Sequence, residues 1–172
     1  LIGPALGNTV NNTVIADNVF YHFGYAYGNG TGGYANGVTI DSRGTTSNTL
    51  IANNTFYDLH RVAGGQAYAI LIRTNLETGV IVRNNVMDTL DDDAITNSSA
   101  SAVISNNACT AAKNCGSTGK VTIANIGDCV INAAAGDFRL KQGTNPCRNA
   151  GAPVTSRQNP IGAVDIGAYE QG

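Results

Sequence analysis

Charge is scarce in this 172-residue chain: Asp, Glu, Lys and Arg together make up 13% of it, where about 25% is usual. The formal net charge is −2 and the isoelectric point lies near 5.5, so no basic surplus exists to attract a phosphate backbone, and no nucleic acid is expected as a partner. No apolar run approaches the ~20 residues that a membrane-crossing helix needs, so no membrane span is expected. There is no Cys-x-x-Cys pair, and both histidines, His22 and His60, lie far upstream of the cysteines, which argues against a zinc site. The chain starts at Leu1 with no initiator methionine, no basic segment and no signal-type apolar stretch, the pattern expected of a processed or truncated product.

What is abundant is Gly, Asn, Thr and Ala, a turn-rich composition that suits many short strands and not helices. The order within it is an internal repeat. Thr13-Val14-Ile15-Ala16-Asp17-Asn18-Val19-Phe20 is followed by Thr49-Leu50-Ile51-Ala52-Asn53-Asn54-Thr55-Phe56, Val80-Ile81-Val82-Arg83-Asn84-Asn85-Val86-Met87 and Ala102-Val103-Ile104-Ser105-Asn106-Asn107-Ala108-Cys109. Each copy is a short, mostly β-branched run, an Asn pair or Asp-Asn, and an apolar residue two places later. The second Asn recurs after 36, 31 and 22 residues, so a fixed strand unit alternates with a loop of variable length. A second strand signal falls between copies, at Gly37–Asp41, Ala69–Arg73 and Asp93–Asn97, giving at least two strands per unit.

Period-2 alternation places Ile15, Ile51, Val82 and Ile104 in one inward row, with Phe20, Phe56, Met87 and Cys109 in another. Ala16, Ala52, Arg83 and Ser105 then point outward. Equivalent apolar residues stacked coil upon coil would fill a core that no single coil could bury. Asn tolerates the left-handed backbone of a corner, and stacked Asn side chains can bond their counterparts above and below. The Asn pairs are therefore expected to be structural. Val121-Thr122-Ile123-Ala124-Asn125-Ile126 reads as a fifth copy with Ile126 in place of the second Asn, where the ladder should end. Residues 132–172, with Pro146, Pro153 and Pro160, read as a terminal wrap or cap on the coils of residues 1–131.

The strand, corner and strand units with an internal Asn ladder resemble the right-handed parallel β-helix superfamily over residues 9–131. The segments Asn132–Leu140, Pro146–Gly151 and Val164–Glu170 look like the closing segment of secreted bacterial β-helix repeat or surface-anchor proteins. The resemblance, which extends to the pectate-lyase-like fold, implies an all-β solenoid of about five coils with irregular loops, in an extracellular or cell-surface setting.

Cys109, Cys115, Cys129 and Cys147 allow three disulfide connectivities; sequence proximity favours Cys109 with Cys115 and Cys129 with Cys147, and buried free thiols are the alternative. Sequons stand at Asn11, Asn29, Asn53 and Asn97.

Three places could carry function. The insert after Phe20 holds Tyr21, His22, Tyr25, Tyr27 and Tyr34, and the equivalent loop of the next copy holds Tyr57, His60 and Arg61. Aromatic rings with polar tips suit a sugar or a protein partner, and equally a shield over the flank. Asp91, Asp92 and Asp93 at the next corner could bind Ca²⁺, supply an acid beside an ionised partner, or form a solvated turn. Polygalacturonase-type glycosidases on this fold use an Asp pair near such a place, and pectate-lyase-like enzymes pair carboxylate-bound Ca²⁺ with a basic residue. The candidate base here would be Arg73, Arg83 or Arg61, and the Gly-His-Gly and Arg-Ile-Lys elements of those glycosidases are absent. The third place is the ends of the stack. Leu1, Ile2 and Leu6 form a short apolar lead fit to pack on a neighbour, and unlike end surfaces could propagate a filament.

The expected function is an extracellular or cell-surface structural or adhesive protein, self-associating end to end or binding other surface proteins. The alternatives are a polysaccharide lyase or glycoside hydrolase, or a carbohydrate-binding module.

Overall fold

Every fifth residue of the first coils adopts a left-handed backbone. Asn12, Asp17 and His22 have φ of 56°, 60° and 54°, Asn48, Asn53 and Asp58 follow at 50°, 54° and 63°, and Gly79 and Asn84 at 66° and 58°. Asn, Asp and His are the non-glycine residues enriched in this region. Asn12, Asp17, Asn48, Asn53, Gly79 and Asn84 turn the chain through corners between short strands, whereas His22 and Asp58 fall inside strands.

The computed structural model describes residues 7–23, 35–41, 43–61, 65–73, 77–154 and 163–169. The strands in order are β1 (Thr9–Asn11), β2 (Val14–Ala16), β3 (Val19–Phe23), β4 (Val38–Ile40), β5 (Thr45–Ser47), β6 (Leu50–Ala52), β7 (Thr55–Leu59), β8 (Ile70–Ile72) and β9 (Glu77–Thr78). They continue as β10 (Ile81–Arg83), β11 (Val86–Leu90), β12 (Ile95–Asn97), β13 (Val103–Ser105), β14 (Ala108–Thr110), β15 (Val121–Ile123), β16 (Val130–Asn132) and β17 (Asp137–Leu140). Four sheets result, β1-β5-β9, β2-β6-β10-β13, β3-β7-β11-β14-β15 and β4-β8-β12, and β16-β17 form a separate hairpin. All pairings in the first four sheets are parallel, and the hairpin is antiparallel. The chain is a parallel β-solenoid.

Register follows the repeat. Ile15 pairs with Ile51, Ile51 with Val82 and Val82 with Ile104; Phe20 pairs with Phe56, Phe56 with Met87 and Met87 with Cys109. These rows fill the interior, where the Phe20 and Phe56 rings stack at 4.6 Å. Gly37 lies so close to Phe56 that a Cβ there would come within 2.5 Å of the ring.

The Asn pair divides its labour. The first member turns the corner, and the second builds an inward amide ladder with a fixed direction. Asn54 Oδ1 accepts from the backbone N–H and Nδ2 of Asn18 (3.0 and 3.1 Å), Asn85 Oδ1 from those of Asn54 (both 3.0 Å), and Asn107 Oδ1 from those of Asn85 (both 3.0 Å). Asn54, Asn85 and Asn107 are fully buried, and their Nδ2 groups also reach the carbonyls of Ile15, Ile51 and Val82.

The fifth copy differs from the expected alignment. Val121 pairs with Ala108, and Thr118 bridges Ser105. The left-handed corner therefore falls on Gly119 (φ 60°), and Lys120 stands in the ladder position, not Ile126. The sequence at 121–126 resembles the strand before a corner, but the loop hooked back by Cys109–Cys115 shortens this coil and moves the register by one strand. Lys has no acceptor to offer, which is the physical reason the ladder stops.

A second core lies on the outer face of the five-stranded sheet. Val86, Ala108 and Ile123 meet Ile126, Val130, Phe138, Leu140 and Ile166 of the C-terminal segment. The outward row Ala52, Arg83 and Ser105 is flanked by the same segment, and Ala52 is fully buried as a result. The corner residues dock it: Asn53 Nδ2 donates to the Asp165 carbonyl (3.0 Å), Asn84 exchanges bonds with Ala152 (2.7 and 2.8 Å), and Asn106 Nδ2 donates to the Ala150 carbonyl (3.3 Å). The Asn53 sequon is thus sealed beneath the tail, while Asn11 and Asn97 are exposed and Asn29 lies outside the described residues.

The disulfides join Cys109 to Cys115 and Cys129 to Cys147, as sequence proximity favours. The second spans 18 residues, a loop whose closure stabilises the fold by about 3 kcal/mol through the unfolded chain.

The ladder predicts a graded mutational response. Asn85→Leu leaves two buried donors of Asn54 without an acceptor, at about 1–3 kcal/mol each, so urea denaturation should show a loss of about 2–6 kcal/mol. Asn18→Leu, at the exposed end, should cost less than about 1.5 kcal/mol. Equal losses at the two positions would contradict the ladder's role.

Candidate functional site

The corner that follows β3, β7 and β11 gathers most of the titratable groups anticipated from sequence. Register puts Tyr21 beside Tyr57 and Tyr57 beside Asp88, and Phe23 beside Leu59 and Leu59 beside Leu90. His22 and Asp58 lie between them, inside β3 and β7, with left-handed backbones. His60 and Arg61 leave β7 at the level where Asp91 and Asp92 leave β11.

A chain of charge-assisted bonds runs along the solenoid axis through these residues. His22 Nδ1 lies 2.6 Å from Asp58 Oδ2, and His60 Nε2 lies 2.8 Å from Asp58 Oδ1. On its other side His60 Nδ1 is 3.0 Å from Asp91 Oδ1. The Arg61 backbone N–H donates to Asp91 Oδ2 (2.8 Å), and Arg61 Nη1 is 3.2 Å from Asp92 Oδ1. Asp92 Oδ2 accepts from the Ala67 N–H (2.8 Å), and Lys113 Nζ donates to the Asp92 carbonyl (2.7 Å).

Ionised carboxylates only accept, so a ring held between two of them is favoured in the form that carries a proton on both nitrogens. Partial burial alone would lower the His60 pKa; hydrogen bonds to Asp58 and Asp91, with their charges, outweigh it and raise the pKa above the ordinary 6.5. Burial would raise Asp91, but the Arg61 N–H, the His60 bond and both cations bring it below 3.8.

The three consecutive aspartates do not converge. Asp91 turns to His60 and Arg61, Asp92 to Arg61 and Ala67, and Asp93 Oδ1 accepts from the Asn114 N–H (3.3 Å). Among the described residues no three His, Cys, Asp or Glu side chains are grouped to hold a metal ion. The basic candidates divide likewise. Arg61 joins the chain, Arg73 Nη2 reaches Gln66 Oε1 (3.4 Å), and Arg83 Nη1 donates to the Pro153 carbonyl (3.1 Å). Arg83 borders a groove of about 420 Å³ formed by Leu50, Ile81, Pro153 and Val154 with Asn48, Thr49 and Gly79, on the four-stranded sheet.

Tyr21 and Tyr57 stack on each other at 5.9 Å, and Phe138 meets both edge-on, at 5.3 and 6.1 Å. Tyr21 OH also reaches the Ala134 carbonyl (3.5 Å). Asp88, next in the row, accepts from the Ile126 N–H (2.6 Å). This row therefore fastens the C-terminal hairpin to the sheet. Tyr25, Tyr27 and Tyr34 lie outside the described residues, as do Leu1, Ile2 and Leu6.

In the sequence the His-bearing loop and the Asp triplet stand as separate places, and Asp58 is not among the candidates. Asp58 is nonetheless the junction, bound by both histidines. The signal was present: the 36-residue spacing aligns His22 with Asp58, and the 31-residue spacing aligns His60 with Asp91.

Linkage gives a pH prediction. The raised His60 pKa contributes stability fully present below 6.5 and lost as pH climbs through its folded value. The lowered Asp91 pKa contributes stability present above 3.8 and lost as pH falls through its folded value. The corner is fully engaged between these limits. Urea denaturation at pH 5.5 and 8.5 should show weaker stability at the higher pH, by about 0.2–1 kcal/mol per exposed pair. His60→Gln should shrink that difference, and an unchanged difference would show that another group causes it.

No family model, curated protein or solved structure matches this chain.

Proposed function

We propose that the chain is an extracellular or cell-surface structural or adhesive protein, built as a right-handed parallel β-helix of about five coils. The observation that carries this reading is the pairing within the polar corner: His22, Asp58, His60, Asp91, Arg61 and Asp92 are bonded to one another across three successive units. These bonds join unit to unit, as a structural role would use them. The two disulfides support an oxidising compartment, and the docked tail supports a closed, protease-resistant flank.

The last coil differs from the first. At the last coil Thr122 occupies the inward row and is exposed, Lys120 holds the ladder position, and the disulfide-bonded 109–115 loop folds back there. The proposed role does not rest on end-to-end assembly.

A second reading has one observation in its favour. His60 lies between two carboxylates while partly exposed, so a polysaccharide lyase or hydrolase on this corner would use His60 with Asp58 and Asp91 as its proton-transfer group. Incubation with a panel of uronates and neutral glycans, with and without Ca²⁺, separates the readings. The structural reading expects no product, whereas product release abolished by His60→Gln at unchanged stability would overturn it.

A further inference from the structure

The two ends of the stack are chemically different, and the difference identifies what the first coil is shaped to meet. β1, β2, β3 and β4 each stand at the outer position of their sheet, all at the same end of the molecule. The inward residues of this coil, Val10, Ile15 and Phe20, are partly buried, whereas their in-register partners Thr46, Ile51 and Phe56 are wholly buried. Among the described residues an apolar cross-section is thus left partly open, framed by four strand edges.

The amide ladder adds a direction. At each step the lower Asn gives its backbone N–H and Nδ2 to the Oδ1 above, from Asn18 to Asn54, Asn54 to Asn85 and Asn85 to Asn107. Asn18 Oδ1 is the one acceptor of this series that receives nothing from the described residues. It is aligned for a donor pair from below, which is what an Asn in the same corner of another coil presents.

We propose that the first-coil face is a docking surface for one further β-coil, stacked parallel to β1–β4, with an Asn at the ladder corner and apolar side chains at the inward positions. A second copy fits this face poorly by either end. Its last coil presents Lys120 and exposed Thr122. Its first coil, related by a two-fold axis, would reverse the strand direction and set Asn18 Oδ1 against another acceptor. The inference holds whether the solenoid is a scaffold or an enzyme.

The test extends the full chain by placing a copy of its own residues 45–72 ahead of Leu1, which tethers a coil of the required chemistry at high effective concentration. Hydrogen exchange on the extended and original chains should show the β1–β4 amides slowed at least tenfold by the extension, with β7 and β11 unchanged. In the extended chain Asn18→Leu should abolish the added protection, while Asn18→Asp, which keeps an acceptor, should retain most of it. A second extended chain, with the added copy's ladder Asn replaced by Leu, should behave like Asn18→Leu. Unchanged exchange in β1–β4, or protection indifferent to both Leu replacements, would overturn the proposal. So would a dimer of the original chain at micromolar concentration with β1–β4 protected, which would assign the face to a second copy.

Discussion

A buried primary amide has two donors and an acceptor to satisfy, and in this solenoid stacking satisfies them. Asn54, Asn85 and Asn107 sit at zero exposure, each Oδ1 taking two donors from the unit below while Nδ2 reaches a backbone carbonyl. Leaving any of them unpaired would cost about 1–3 kcal/mol per group, so a slip of one residue in any strand is penalised at once. Apolar rows alone would tolerate more register error, because Ile, Val, Phe and Met are interchangeable in a core to within modest cost. The ladder fixes which residue faces which, and the packing follows.

Once register is fixed, the two members of each Asn pair face opposite sides of the wall. The second member organises the interior, and the first, held in a left-handed conformation, projects its amide outward to receive the tail at Ala150, Ala152 and Asp165. The five-stranded sheet thereby carries a core on each face, one inside the stack and one beneath the β16-β17 hairpin. Tyr21, Tyr57 and Asp88 belong to this outer attachment, a row of two aromatic side chains and one acidic one that meets Phe138 and the Ile126 N–H.

The rows that were legible in the sequence are those in which the inward residue stays aliphatic or aromatic from copy to copy, as with Ile15, Ile51, Val82 and Ile104. The sheet β1-β5-β9 was invisible because its inward positions are Val10, Thr46 and Glu77, which share no hydrophobic pattern. Thr46 Oγ1 and the Glu77 carboxylate are buried with no hydrogen-bond partner among the described residues; their alignment is imposed by the neighbouring sheets. The last coil was misaligned for a related reason. Local pattern at Val121–Ile126 imitates the strand before a corner, and the Cys109–Cys115 loop, which lies outside that segment, shortens the coil ahead of it. The charged corner was legible residue by residue and not as a site, since Asp58 acquires its meaning only when the 36- and 31-residue spacings are applied to the loops as well as to the strands.

Interior and corner use the same geometry with different chemistry. Along both lines, residues one unit apart come within hydrogen-bonding reach, but the interior line is uncharged and dry, and the corner line is ionic and half-exposed. Amides do not titrate, so the interior line holds register at any pH that leaves the fold intact. The corner line, built from His60 and Asp91 with shifted pKa values, strengthens and weakens with pH while register is preserved. A solenoid of this kind can change its corner side chains, and with them its surface chemistry, without touching the residues that specify the fold. Variation between copies is accordingly concentrated after Phe20, Phe56 and Met87, where the strand has already been placed by the ladder.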